Sequence, residues 1–507
     1  MRILCIQLAR FGDILQTLPT LSAFKRQYPE AHVTLMVRKK FLAAAHVCAI
    51  ADHVIEFDTQ LFLSGYLDEN CDVASCAKFA LEKVSEFIQG HAGKFDKIIN
   101  LSFSPMTSYL TQLLSGPSTV VHGYTRHPDG FLALPDDPSS YFYAQVGVGR
   151  WNRLHLIDLF SLVADTQLGS ADVTLLAKNQ NGQTNVFSTS DTVVVHVGAS
   201  ERHKSAPKMF WENYLVDLDS RLSVQQDLTT KVILVGSAGE FQVDDVRLKS
   251  MTRLDNQVGK TTFSQVTEIL CAAKLIVGAD SFAMQIATLA NVPALNLSLP
   301  SVRFWETGPR SQGSIVLRFD SRAQMDSQLA SEQTVAMLKG LSIDDKISTS
   351  VSKFSACEGA GVVFQSQGPD VDDLVWQFCE SIYMNREFPV ATDNRVLVAF
   401  SKIREIGMLA LGEVERYAKG QSNVASQTIL QQTDILLQQI GERIPEVRPV
   451  VQWFLTEKLR IGPGSLAQVT SQTTSIYEKL IAIAQLYDVQ QYLTQNGDDQ
   501  TRGLTWK

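Results

Sequence analysis

Four short stretches carry the residues able to do chemistry. In Ala9-Arg10-Phe11-Gly12-Asp13-Ile14 a carboxylate follows a glycine, and Gly12 can take a tight or positive-φ turn. Two readings of Asp13 stand side by side: a helix cap, or a general base that takes the proton of an acceptor hydroxyl. Gly198-Ala199-Ser200, with Lys204 and Pro207 behind it, suits a diphosphate, because backbone N–H groups, the Ser200 hydroxyl and an ammonium can converge on one anion. A solvated lysine beside Arg202 and His203 is the alternative. Gly236-Ser237-Ala238-Gly239-Glu240 ends on a carboxylate placed to accept two ribose hydroxyls, or simply to start a helix. In the run Asp280 to Ala287, Asp280 reads as an N-cap and Ser281 offers itself, with the first-turn amides, to a phosphate. Gln285 falls one turn on, on the face of Ser281.

Each stretch follows an apolar run short enough to be a buried strand. Strands are predicted at residues 3–7, 32–37, 54–57 and 95–101, with helices at 14–28 (broken at Pro19) and 76–90 between them. Residues 126–138, rich in Pro, Asp and Gly, read as an exposed loop, and 151–164 as a helix. After a polar stretch at 178–191 the alternation restarts. Strands are predicted at 192–197, 231–235, 275–277 and 294–297, and helices at 263–273 and 281–290. Such alternation implies parallel sheets covered on both faces, with ligands at the carboxyl ends of the strands. From about residue 386 the strands stop. Val396, Ile403, Ala410 and Tyr417 recur every seven residues, and further apolar stripes run through Ile429, Leu436 and Ile440 and through Leu466, Val469, Ile476, Leu480 and Ile483. Val450, Val451 and Trp453-Phe454-Leu455 form the densest apolar cluster there, readable as bundle core or as an interface anchor.

Bulk properties narrow the classes. A chain of 507 residues suggests about three domains. A net charge of −8 argues against a sequence-independent nucleic-acid binder, and no apolar run is long enough to span a membrane. The seven cysteines are odd in number and scattered, so reduced thiols in a cytoplasmic protein are expected, with no disulfide framework or structural zinc.

As an ordered set these motifs resemble glycosyltransferase family 9, the ADP-heptose:lipopolysaccharide heptosyltransferases of the GT-B superfamily. The matching residues are Arg2-Ile3-Leu4, Gly12-Asp13 and Pro19; Gly198-Ala199-Ser200, Lys204 and Pro207; Val232 to Gly236 and Glu240; Gly259-Lys260-Thr261; and Val277 to Ser281, Ala287 and Pro293. The likeness covers residues 1–320, extending towards 385. It implies an α/β GT-B fold of two facing Rossmann-like domains with parallel sheets, 1–165 for the acceptor and 190–385 for the nucleotide sugar; it does not account for the helical extension, 386–507, which its apolar stripes assign to assembly or recognition.

It also implies an inverting, metal-independent transfer in which Asp13 is the base. Ser200, Lys204, Glu240, Thr261, Asp280, Ser281 and Gln285 would bind the donor, and Gly12, Gly198 and Gly236 would make the turns. No cofactor is implied beyond a nucleotide-diphosphate sugar, ADP-heptose by analogy. The acceptor would be a glycan or protein hydroxyl, met in the cytoplasm or at the cytoplasmic face of the inner membrane. The C-terminal helices would serve a second copy or a partner protein. The sequence departs from the family at Phe282 (for Gly), Ala283 (for Pro), Gln285 (for His), Ala206 (for an aromatic) and Leu299 (for the Gly before Pro300). Phe282 cannot give a diphosphate the close backbone approach that glycine gives, and Gln285 donates a hydrogen bond but carries no charge. These departures motivate a second reading, a catalytically lapsed protein that binds a sugar nucleotide or a partner.

Overall fold

The computed structural model describes residues 1–67, 72–148, 151–177, 191–199, 201–225, 229–340, 351–353, 365–366 and 373–496. In chain order the strands are β1 (Arg2–Ile6), β2 (His32–Arg38), β3 (His53–Phe57), β4 (Lys97–Asn100), β5 (Val120–Gly123), β6 (Thr125–Arg126), β7 (Leu132–Ala133), β8 (Thr192–His196), β9 (Lys231–Val235), β10 (Leu254–Asn256), β11 (Leu275–Ala279), β12 (Ala294–Ser298), β13 (Ile315–Arg318), β14 (Val351–Lys353) and β15 (Gln365–Ser366). The chain divides into two compact units, one of residues 1–6, 62–153 and 372–507, the other of 7–61 and 154–371.

In the first unit β1 pairs with β4 and β4 with β5, all parallel, with Ile3 opposite Lys97 and Lys97 opposite Val120. The segment read as an exposed loop at 126–138 is instead a β6–β7 hairpin, Thr125 opposite Ala133, running into helix Asp137–Tyr141. Ala133 and Leu134 are buried, and that apolar pair outweighs the polar composition around it. The later helices of this unit, Asp373–Tyr383, Asn394–Ala418, Val424–Arg443, Arg448–Lys458 and Leu466–Asn496, close on one another around a single core. Phe400 stacks on Tyr487 at 4.1 Å, Phe378 packs on both, and Trp453 belongs to this core. The same helices are tied to residues 127–145. Ser140 Oγ donates to Glu457 at 3.0 Å, Arg460 meets Asp137 at 2.6 Å, and Gln145 Nε2 reaches Pro449 O and Tyr383 Oη.

In the second unit β2 and β3 pair in parallel, and six parallel strands run in the order β10-β9-β8-β11-β12-β13, with β14 and β15 antiparallel at the edge. Val193, Val195, Val197, Leu275, Val277, Leu295 and Leu297 alternate into a core with Trp211, Tyr214 and Leu218 of helix Lys208–Val224. Their neighbours His196, Gly278 and Asn296 stand in register on the opposite face. Helix Phe11–Gln27 runs unbroken through Pro19, contrary to the break expected there. An interior proline costs about 3 kcal/mol; here Leu15, Leu18, Pro19, Leu21 and Phe24 are buried together, and that packing offsets it. Among the described residues no helix is long and apolar enough to cross a membrane, and Cys5, Cys48, Cys76, Cys271 and Cys379 are free thiols. Cys71 and Cys357 lie outside the described residues.

Candidate active site

All the candidate residues that the structure describes fall in the second unit. Gly12 and Asp13 are in the first turn of helix Phe11–Gln27, Gly198 and Lys204 follow β8, Gly236 and Glu240 follow β9, Thr261 precedes helix Phe263–Ala272, and Asp280, Ser281 and Gln285 lie between β11 and the end of helix Phe282–Ala290. Ser200 lies outside the described residues.

Asp13 Oδ2 accepts the backbone N–H of Arg10 at 3.0 Å, the reach-back bond of a first-turn carboxylate. That bond occupies one carboxylate oxygen and leaves the other for a proton, so the cap and the base are compatible roles rather than rivals. Burial pushes the Asp13 pKa above the ordinary aspartate value, against the pull of the Arg10 amide and the charges of Arg10 and Lys204. A raised pKa moves a carboxylate towards the range in which a general base works best. Gly12 does not take the positive-φ turn allowed for it; it is an ordinary helical residue, its open side 3.9 Å from Gln285 Cγ. Residues 12 and 285 are thus in one neighbourhood although 273 positions separate them.

Lys204 Nζ donates to Asp280 Oδ2 at 2.9 Å, and Thr307 Oγ1 donates to Asp280 Oδ1 at 2.6 Å. Asp280 is therefore not the N-cap predicted for it. Ser281 is the cap, accepting from Ala283 N–H at 3.3 Å, because both Asp280 oxygens are already held by Lys204 and Thr307. The Lys204–Asp280 pair is largely buried, with side chains 22% and 8% exposed, and removing one partner of such a pair costs about 3–5 kcal/mol. Gln285 is buried and donates through Nε2 to Thr307 O at 2.5 Å, while its Oε1 has no partner among the described residues. Thr307, which no motif announced, thereby links Asp280 to Gln285.

Glu240 is exposed and does not start a helix. Its Oε2 accepts Ser237 N–H at 2.6 Å within a turn, and desolvation of the carboxylate end against Gly198 raises its pKa, against the pull of the Ser237 amide. The carboxylate lies against Gly198, where a Cβ would collide with Oε2, and 2.9 Å from the position a Cβ would take on Gly236. The absence of a side chain at both glycines leaves room for the Glu240 carboxylate in this position, and a Cβ at Gly198 would displace it. Gly259 takes φ +71, its N–H donates to Gly236 O at 2.9 Å, and Thr261 beyond it has a buried hydroxyl without a partner among the described residues.

Of the helices of this unit that begin on phenylalanine, those starting at Phe11, Phe263 and Phe282 bring their rings together. Phe11 stacks on Phe263 at 4.6 Å, Phe263 lies 5.1 Å from Phe282, and Phe282 stands edge-on to His196 at 5.1 Å. His196 is buried, which lowers its pKa to about 4, so the imidazole is neutral, with Nδ1 3.3 Å from Ser281 Oγ. His196 lies within the apolar run 192–197, where no motif marks it. Outside this ladder Arg10 pairs with Glu201 at 2.6 Å, both partners substantially exposed, so solvent screens the contact and it adds little to stability. Among the described residues no group of three or more His, Cys, Asp or Glu side chains is placed to hold a metal ion.

No protein-family model and no curated protein matches the chain. Among solved structures, E. coli heptosyltransferase WaaC with ADP is similar at 15% identity and a TM-score of 0.48, covering 66% of this chain and 100% of its own. The glycosyl transferase family 9 protein from Veillonella parvula is similar at 17% identity and a TM-score of 0.46, covering 67% and 97%. E. coli ADP-heptose lps heptosyltransferase II is similar at 17% identity and a TM-score of 0.46, covering 67% and 99%.

Proposed function

We propose that the chain is an inverting glycosyltransferase of the GT-B kind, moving a sugar from a nucleotide-diphosphate donor to a glycan or protein hydroxyl. By analogy with the family its motifs resemble, the sugar is a heptose, the donor ADP-heptose and the setting the cytoplasm, at or near the inner membrane. The observation that carries this reading is the gathering of Asp13, Lys204, Asp280, Ser281 and Gln285 in one unit, with the base candidate's pKa raised by burial. In this mechanism Asp13 takes the acceptor proton as the hydroxyl attacks the anomeric carbon, and the sugar–phosphate bond breaks with its electron pair leaving on the diphosphate. Lys204 and the amides at the start of helix Phe282–Ala290 take up that charge in place of a metal ion. Glu240 accepts the ribose hydroxyls. The extension after residue 386 serves assembly or recognition and supplies no catalytic group.

The second reading, a lapsed transferase, is favoured by two features: the Phe282 ring at the start of its helix, and the engagement of Lys204 by Asp280. Calorimetry against a panel of nucleotide-diphosphate sugars, with mass spectrometry for release of the diphosphate in the presence of acceptor glycans, separates the two. Donor binding with turnover on one pair supports the transferase; binding without transfer or hydrolysis on every pair supports the lapsed protein.

A further inference from the structure

The Lys204–Asp280 pair depends on a third residue that lies outside every motif, Thr307. Asp280 is buried and its two oxygens are divided: Oδ2 accepts from Lys204 Nζ at 2.9 Å, Oδ1 from Thr307 Oγ1 at 2.6 Å. The threonine hydroxyl has a single hydrogen, and the carboxylate takes it ahead of the Arg303 carbonyl, which stands 3.4 Å away. A carboxylate bound at its two oxygens by different elements cannot turn. The Lys204 ammonium has three donors, and the Asp280 bond engages one of them.

Thr307 is held in its turn. It closes helix Phe304–Thr307, which is too short to be rigid by itself. Three successive carbonyls there accept side-chain donors from three other helices. Glu306 O takes Gln16 Nε2 at 2.9 Å, from the helix that carries Asp13. Thr307 O takes Gln285 Nε2 at 2.5 Å, from the helix that Ser281 caps. Gly308 O takes His155 Nε2 at 2.9 Å, from the cap of helix Leu156–Val163. Gln16, Gln285 and His155 are all buried, where water does not compete for these bonds. The Thr307 hydroxyl therefore meets Asp280 from a fixed place.

We propose that Thr307 is a positioning residue of the donor site: its hydroxyl keeps Asp280 turned so that one carboxylate oxygen holds Lys204 in place and the rest of the ammonium is left for the donor's diphosphate. The inference rests on the reading of Lys204 as the cation that meets that diphosphate. Without the hydroxyl the carboxylate either turns both oxygens to the ammonium or lets it go, and the ligand loses a placed charge in both cases. ADP, titrated calorimetrically into the full chain, is the probe. Thr307→Val keeps the shape and loses the hydroxyl, and binds ADP about tenfold more weakly, the scale of one hydrogen bond to a charged group. Thr307→Ser keeps the hydroxyl and loses a methyl, and stays within about twofold of the parent. A role in packing alone gives the reverse order, with Ser the worse variant. Thr307→Cys, whose thiol donates weakly, falls between the two and replaces Thr307→Val if that variant does not fold. In a Lys204→Met background the Thr307→Val loss disappears, because the hydroxyl acts through the ammonium. A parent that binds no ADP fails the reading of the site and this inference with it. A parent that binds ADP, with Thr307→Val at parental affinity, Thr307→Ser as weak as Thr307→Val, or the full loss persisting without Lys204, overturns the inference alone.

Discussion

Asp13 is where sequence and structure bear most directly on each other at the residue scale. Because its folded pKa is raised, Asp13 contributes stability at low pH that is lost as pH rises through that pKa, where the carboxylate ionises in a desolvated setting. Asp13→Asn therefore has a Tm at pH 7 equal to or above that of the parent, and the difference closes as the pH falls towards the ordinary aspartate range near 4; thermal melts across pH 4–8 check it. The rate limb runs the opposite way. Transfer declines as pH drops through a pKa above the usual aspartate value, since only the ionised form accepts a proton. Gly198 yields a second prediction. A methyl there collides with the Glu240 carboxylate, so Gly198→Ala weakens donor binding about tenfold, as does Glu240→Ala, and the double variant is no weaker than either single one. Additive losses in calorimetry would mean that the glycine acts on the donor directly.

Turning to the elements, the phenylalanines that open three helices decide how much of the site a phosphate can reach. With Phe11, Phe263 and Phe282 in contact, the first-turn amides of helix Phe282–Ala290 lie beside a ring. Phe282→Gly strengthens ADP binding severalfold if the ring obstructs that approach; weaker binding would instead make the ring part of the site. This arrangement was only half legible in the sequence. The strands after which the motifs fall could be read, because apolar runs bounded by glycine have few alternatives. That Phe282 departs from a glycine pattern was also visible. That it would meet Phe11 and Phe263 was not, since nothing local encodes a contact across 271 residues. Likewise Asp280 looked like a cap because caps are local, and the structure assigns it to Lys204 and Thr307 through contacts 76 and 27 residues away. Proline rules misled at Pro19 for the same reason: burial of its helix on both sides was not in the local code.

At the scale of the whole molecule, the spacing of Val396, Ile403 and Ala410 announced a helix with a buried stripe, but Leu436 and Leu466 of the other two stripes are exposed, and the spacing did not show that helix Asp373–Tyr383 joins the core or that residues 127–145 hold the helices. A truncation ending near residue 385 strips Phe378 of Phe400 and Tyr487 and leaves Gln145 without Pro449 O. Its predicted outcome is an aggregating or strongly destabilised protein, read by light scattering and melting. A soluble truncation with an unchanged Tm would show that the extension is a separable arm. The central claim is that the second unit carries both the base and the donor's binding groups, and it is tested most directly by pairing two numbers on Asp13→Asn in the full chain: donor affinity by calorimetry and transfer rate at donor saturation. The account predicts donor Kd within about twofold of the parent and a rate lower by about 10²–10⁴, the usual contribution of a positioned general base. A parental rate in that variant would contradict it.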